Sequence, residues 1–292
     1  MSLIQAIVLG ILQGLTEFLP VSSSGHLAIL KNIFHLDLGS GMLYDVLLHV
    51  ATLVTICIVF FKDVAKLIVE FIMIVIDVFK NIGIFFQNTF AHRNIKYIRI
   101  TQKTYRKFVV MLIVSTIPTG ILGYLMQDIV EKAGLSLLIP GICLLVTGGI
   151  LLITDMAETG KKKPKDASMF DAFTVGVCQG IATLPGLSRS GTTVAACLLC
   201  GFDRKFAVKY SFIMSIPAII GALVLQLGNV ATVSIKTVEI VYYIIGMLIA
   251  AVVGFVCIKV MIAIVQSKRF KGFAFYCMAI GAISIICFLV QL

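Results

Sequence analysis

Charge is scarce in this chain: Asp, Glu, Lys and Arg make up 13% of its 292 residues, against 60% for hydrophobic types, and mean hydropathy is +1.08. That scarcity excludes two soluble domains, which the length could otherwise supply, and marks an all-α polytopic membrane protein. Acids are scarcer still, 14 against 24 Lys and Arg, giving a formal charge of +10. Such an excess can signal nucleic acid. Here the cations gather in short runs between apolar segments, so they express membrane topology and attraction to anionic lipid, with no nucleic-acid partner. No basic n-region precedes the first apolar stretch, and Gln13 and Glu17 interrupt it, so it is expected to be retained rather than cleaved as a signal peptide. Cys197 and Cys200 form a C-x-x-C spacing but lack a second pair or a suitably spaced His, which argues against a metal there. The eight cysteines, at 57, 143, 178, 197, 200, 257, 277 and 287, all lie in apolar stretches and read as packing residues rather than a disulfide framework. Only six prolines occur, and two of them hold matching places in a repeated phrase.

That phrase is QGLTEFLPVSSSGHL, from Gln13 to Leu27, and QGIATLPGLSRSGTT, from Gln179 to Thr193. With a one-residue gap on each side of the proline, Gln13-Gly14 falls on Gln179-Gly180, Pro20 on Pro185, Ser22 on Ser188, Ser24-Gly25 on Ser190-Gly191 and His26 on Thr192. Each copy is a short apolar stretch, a proline, a Ser/Gly-rich break and a second short apolar stretch. Interrupted segments in corresponding positions of two halves point to a binding site at the membrane midplane.

The pattern along the chain predicts a first repeat over 1–156 and a second over 157–292. In the first, a re-entrant hairpin (2–35) returns from His26 to Phe34, and spans lie near 42–61, 108–126 and 139–156. Residues 67–90 are apolar but carry Glu70, Asp77 and Lys80 at helical spacing, which predicts an amphipathic insert lying on the surface. A charge-balanced turn is expected after Met126. In the second repeat a hairpin (170–202) leads in to Leu184 and out from Thr192, followed by spans near 210–227, 239–265 and 273–291. With 67–90 on the surface, the four basic loops share the cytoplasmic side. Each half then has one hairpin and three spans; three is odd, so the topology is inverted, with about six transmembrane helices in all.

The breaks carry the chemistry. Ionisable groups at membrane depth mark function. Glu17 shares a helix face with Gln13 and sits near a helix C-terminus, where the macrodipole disfavours its charge. It therefore needs a cation or a proton, and Arg189 or a divalent metal is the candidate. Ser22, Ser23, Ser24 and Gly25 precede one return helix, and Ser188, Ser190 and Gly191 the other. Together they supply capping hydroxyls and two exposed helix amino ends that suit phosphate. Arg189 adds a planar fork that matches phosphate oxygens. His26 could act as nucleophile, base, acid or ligand, and Ser23 could attack phosphorus once a base takes its proton. Asp45 and His49 share a face at i, i+4 and read as partners of the site or as an interhelical bond. A structural role is expected for Tyr210 and Ser211.

At these residues the chain resembles the bacterial undecaprenyl-diphosphate phosphatase family of the bacitracin-resistance type. That family carries Glu/Gln-x-x-x-Glu, then Pro-Val-Ser-Ser-x-Gly-His, and later Pro-Gly-x-Ser-Arg-Ser-Gly-x-Thr; here these stand as Gln13 to Glu17, Pro20 to His26 and Pro185 to Thr193. The resemblance implies a plasma-membrane hydrolase that removes the terminal phosphate of undecaprenyl diphosphate. The lipid carrier is thereby recycled for peptidoglycan synthesis, and bacitracin resistance follows. It also implies a divalent cation, Mg2+ or Ca2+, and a site open to the outer face. By position, Glu17 supports metal or proton transfer, Ser23 and His26 are the nucleophile or base, and Ser188, Arg189 and Thr193 contact phosphate. Gln13 replaces the first acid, which leaves Glu17 as the main anionic ligand and Gln13 as an indirect one. A transporter of the lipid carrier or an anion would also suit the inverted repeat, and a homo-oligomer is compatible with the sequence.

Overall fold

A computed structural model describes residues 1–33, 41–157, 160–230 and 237–291, and the side chains of 41, 42, 225–230 and 291 are left aside. The described residues form helices joined by short connections, with one isolated bridge between Lys162 and Phe202.

The first helix of each break is started by the same device. In α1 (Leu3–Phe18) the amide of Gln5 donates to Ser2 Oγ and the amide of Ser2 donates to Gln5 Oε1, at 3.2 and 2.8 Å. In α8 (Met169–Ile181) Ser168 and Asp171 make the reciprocal pair at 3.0 and 2.8 Å. Two amides at each helix start are thus satisfied without another element. Both helices are too short to cross a bilayer: the 16 residues of α1 rise about 24 Å.

The return helices begin earlier than the sequence suggests. α2 (Ser23–Ile33) starts three residues before His26, and α9 (Arg189–Leu199) three before Thr192. The Ser/Gly tract reads as a break, but its hydroxyls cap the amides ahead of them, so Ser23 and Arg189 already stand in helical first turns. The predicted end of the first hairpin, Phe34 and His35, lies outside the described residues.

Between the two breaks run α3 (Gly41–Val59), α4 (Phe61–Phe90), α5 (Thr104–Leu125), α6 (Gln127–Gly134) and α7 (Leu138–Met156). The charge-balanced turn is therefore a short helix, α6. After the second break come α10 (Arg204–Val230), α11 (Thr237–Ser267) and α12 (Lys271–Gln291). Five helices, α5, α7, α10, α11 and α12, are long and apolar enough to cross a membrane. A sixth candidate is α3 with α4, which pass together but are bent by 90° at their junction.

α4 starts six residues before the predicted insert, and its polar stripe faces protein. Tyr105 and Lys209 reach Asp63 at 2.8 and 2.9 Å, and Arg106 holds Glu70 and Asp77 at 2.9 and 2.6 Å. Asn81 and Asn88 each give and take a backbone hydrogen bond, with Ile98 and Ile95 respectively. The side chains of Ile68, Phe71, Ile72, Phe79 and Phe85 are left exposed.

Close helix packing seats the breaks. Gly10 and Gly14 of α1 lie against Gly246 and Ala250 of α11; a Cβ at Gly14 would come 2.7 Å from the Ala250 carbonyl oxygen. On the other side, Gly176 and Gly180 of α8 meet Pro118 and Leu122 of α5, and Gly141 and Gly148 of α7 meet Gly281 and Ala274 of α12. In lipid, where apolar burial drives little association, such small-residue contacts hold helices together. All eight cysteines are free.

Candidate active site

The two breaks touch. A Cβ on Gly25 would lie 2.7 Å from Gly186 Cα, and one on Gly191 would lie 3.2 Å from Pro20 Cβ. Gly186 adopts φ +98°, a left-handed conformation that a side chain would strain. Its carbonyl accepts from Thr147 Oγ1 at 2.9 Å, and the same hydroxyl accepts from the Ser188 amide at 3.0 Å, which pins the second break to α7.

Local geometry repeats between the breaks. Ser22 Oγ accepts from the Gly25 amide at 3.2 Å and lies 3.3 Å from Ser24 Oγ; Ser188 Oγ accepts from the Gly191 amide at 3.1 Å and lies 3.3 Å from Ser190 Oγ. Ser22 stands at φ 70°, a costly position for a residue with a Cβ. The breaks are cross-linked as well: Ser22 Oγ donates to the Leu187 carbonyl at 3.4 Å, and Ser190 Oγ to that of Leu19 at 3.2 Å.

Glu17 is the junction. It is buried, and its Oε2 accepts from Ser23 Oγ at 2.6 Å and from Gln13 Nε2 at 3.1 Å. Its Oε1 pairs with Arg189 Nη2, so one carboxylate joins the end of α1, the start of α2 and the start of α9. His49 Nε2 stands 3.9 Å from Oε2, while its Nδ1 lies 2.8 Å from the Asp45 carbonyl oxygen. Asp45 is paired with Lys31. A small cavity opens between Glu17, Arg189, Ser190, Thr193 and Ser211, backed by Phe18, Ile56 and Phe212. Thr193 Oγ1 donates to the Arg189 carbonyl at 2.8 Å and lies 2.5 Å from Ser211 Oγ.

Glu17, Ser23, Arg189, Ser190 and Thr193 are therefore gathered, and the capping residues Ser22, Ser24, Gly25, Ser188 and Gly191 frame them. His26 sits in the same turn of α2 and turns the edge of its ring to α12: its Nδ1 is 2.8 Å from the Ser22 carbonyl oxygen and its Nε2 is 2.9 Å from the hydroxyl of Tyr276. Thr147 and Tyr276 carry no signal in the sequence, since each is a single polar residue in an apolar run. His49 is legible only as a face-sharing partner of Asp45. Tyr210 is structural, with its hydroxyl donating to the Met111 carbonyl at 3.0 Å, whereas Ser211 reaches the site.

No three His, Cys, Asp or Glu side chains gather as metal ligands among the described residues. A cation held wholly by protein does not fit. The buried Gln13 Oε1, however, has no hydrogen-bond partner among the described residues, and it belongs to the amide already bonded to Glu17. One carboxylate and one amide oxygen suit a hard cation that takes its other ligands from phosphate.

The family model described as "Bacitracin resistance protein BacA" matches residues 6–283. An undecaprenyl-diphosphatase of Methanosphaera stadtmanae is 38% identical over 286 residues, covering 98% of each chain. One from Alkaliphilus metalliredigens is also 38% identical over 286 residues, again with 98% of each chain covered. One from Treponema denticola is 37% identical over 281 residues, covering 96% of each.

Proposed function

The chain belongs to the bacitracin resistance protein BacA family, and on that premise we propose that it is a multi-pass membrane phosphatase hydrolysing undecaprenyl diphosphate to undecaprenyl phosphate and inorganic phosphate. Recycling of the lipid carrier for peptidoglycan synthesis and resistance to bacitracin follow from that reaction. The observation that carries the site assignment is the three-way junction at Glu17, where the hydroxyl of Ser23 and the guanidinium of Arg189 meet one buried carboxylate.

In the mechanism we draw from it, Arg189 and the amide-rich starts of α2 and α9 hold the diphosphate, with Ser188, Ser190 and Thr193 around it. Ser23 Oγ attacks the terminal phosphorus while Glu17 Oε2, 2.6 Å away, takes its proton. A serine–phosphate bond forms, the anhydride bond breaks and undecaprenyl phosphate leaves. His26 Nε2 then takes a proton from the water that attacks this phosphoserine. Glu17 returns its own proton to Ser23 Oγ, His26 gives the water's proton to the departing phosphate, and inorganic phosphate leaves. Glu17 and Gln13 Oε1 are the groups that fit Mg2+ or Ca2+, which when bound neutralises charge on the phosphate oxygens.

An inverted repeat is part of the same reading. In its support, the hairpin of each half rests on a helix of the other, α1 on α11 and α8 on α5. The 90° bend between α3 and α4 supports an α4 lying in the plane of the membrane, which leaves three spans in each half. As the family resemblance implies, the enzyme sits in the plasma membrane with its site open to the outer face. Single cysteines at Ile68 and Phe90, both exposed, should label from the same side in a background without other cysteines; opposite-side labelling would refute the in-plane placement.

The test of function is phosphate release from undecaprenyl diphosphate by purified protein in detergent, with and without chelator. Binding without release would indicate a carrier instead.

A further inference from the structure

We infer that Tyr276 of α12 is a positioning residue for His26, fixing the direction of an imidazole whose tautomer the Ser22 carbonyl sets; the inference rests on the phosphatase reading above. His26 Nδ1 lies 2.8 Å from the Ser22 carbonyl oxygen. A carbonyl only accepts, so Nδ1 carries the hydrogen and Nε2 of the neutral ring keeps its lone pair. That lone pair meets the Tyr276 hydroxyl at 2.9 Å. The two rings lie parallel within 2°, with centroids 5.6 Å apart. The imidazole is thus held by a carbonyl on one edge and a hydroxyl on the other.

The hydroxyl suits both charge states. It donates to Nε2 of the neutral ring and accepts from N–H of the imidazolium, so His26 can gain and lose a proton without losing its partner. The two side chains are buried differently: His26 is 8% exposed and Tyr276 43%. The phenol is the outer member of the pair.

The arrangement is anchored twice. Ser22, whose hydroxyl caps the Gly25 amide at 3.2 Å, is also the residue whose carbonyl orients His26. Cys277, next to Tyr276, directs its Sγ to the Pro20 carbonyl oxygen at 3.7 Å. Two successive residues of α12 therefore fasten the last helix to the first break, and neither belongs to the repeated phrase.

Y276F keeps the ring and removes the hydroxyl. Phosphate release should lose at least about tenfold in kcat, the scale of a misdirected acid-base group, with KM within about twofold and an unchanged unfolding temperature. A second readout needs no substrate: in protein with 15N-labelled histidine, the His26 signals, identified by their loss in H26Q, should keep the Nδ1–H form in Y276F while the Nε2 signal shifts on losing the hydroxyl that donates to it. Wild-type turnover in Y276F, or unmoved His26 signals, would overturn the inference. If the unaltered protein releases no phosphate, it is the phosphatase reading that fails, and the Nε2 signal still decides the role of Tyr276.

Discussion

Arg189 and Glu17 pair across 172 positions of the chain, joining the first residue of α9 to the last turn of α1. The contact is the direct link between the acid of one break and the base of the other, and it makes each the condition of the other's burial.

Removing Arg189 alone should therefore cost more stability than removing both. R189A leaves the buried Glu17 carboxylate without its counterpart, a loss of about 3–5 kcal/mol for a charge stranded in this way, whereas E17A leaves Arg189, whose side chain is 25% exposed, in reach of water. Thermal unfolding in detergent should rank the double variant E17A/R189A above R189A, and all three should release no phosphate. R189K keeps the charge but loses the planar fork; it should retain folding and lose most turnover.

Ser23 gives its hydrogen to Glu17 at 2.6 Å, so S23A should lower kcat by at least about a hundredfold while leaving the unfolding temperature near that of the unaltered protein. Rapid quenching with labelled substrate should trap phosphate on Ser23. Phosphate trapped on His26 would transfer the nucleophilic role there, and no trapped species together with an active S23A would assign it to water.

Gly25 approaches the Gly186 backbone, where an added methyl would meet Cα at 2.7 Å. Because the obstructing atom is backbone, G25A should force the breaks apart, costing about 1–3 kcal/mol as overpacking does, and abolish turnover. G83A is the matched control. Nothing lies within 4 Å of a Cβ there, so activity should persist and stability rise by about 0.5–1 kcal/mol, the usual gain for Gly to Ala inside a helix.

Gln13 tests the cation. Its Oε1 is buried without a partner among the described residues, and Q13E would place a second carboxylate beside Glu17. The Mg2+ or Ca2+ concentration giving half-maximal activity should fall; an unchanged dependence would remove Gln13 from the ligand set.

The sequence reveals this site to the extent that the phrase is duplicated. Glu17, Ser23 and Arg189 stand out because a polar residue recurring beside a proline in two apolar segments has few structural explanations. The starts of α2 and α9 do not stand out, since a Ser/Gly tract reads as a break until Ser22 and Ser188 are seen to cap the Gly25 and Gly191 amides. Tyr276 and Thr147 stay hidden because their partners are 250 and 39 to 41 residues away, and only folding supplies the meaning. The stripe of α4 is visible as a period, but not the direction it faces, because Arg106, which binds it, belongs to another helix.

The glycine seams at Gly14 and Gly180 have a genetic corollary. Since the leading helix of either break is cradled by the opposite half of the polypeptide, a gene cut at the basic linker would yield two inert fragments. Expressed together, those fragments should regain turnover by mutual docking, and any single-copy ancestor of the duplicated phrase would have had to work as a pair.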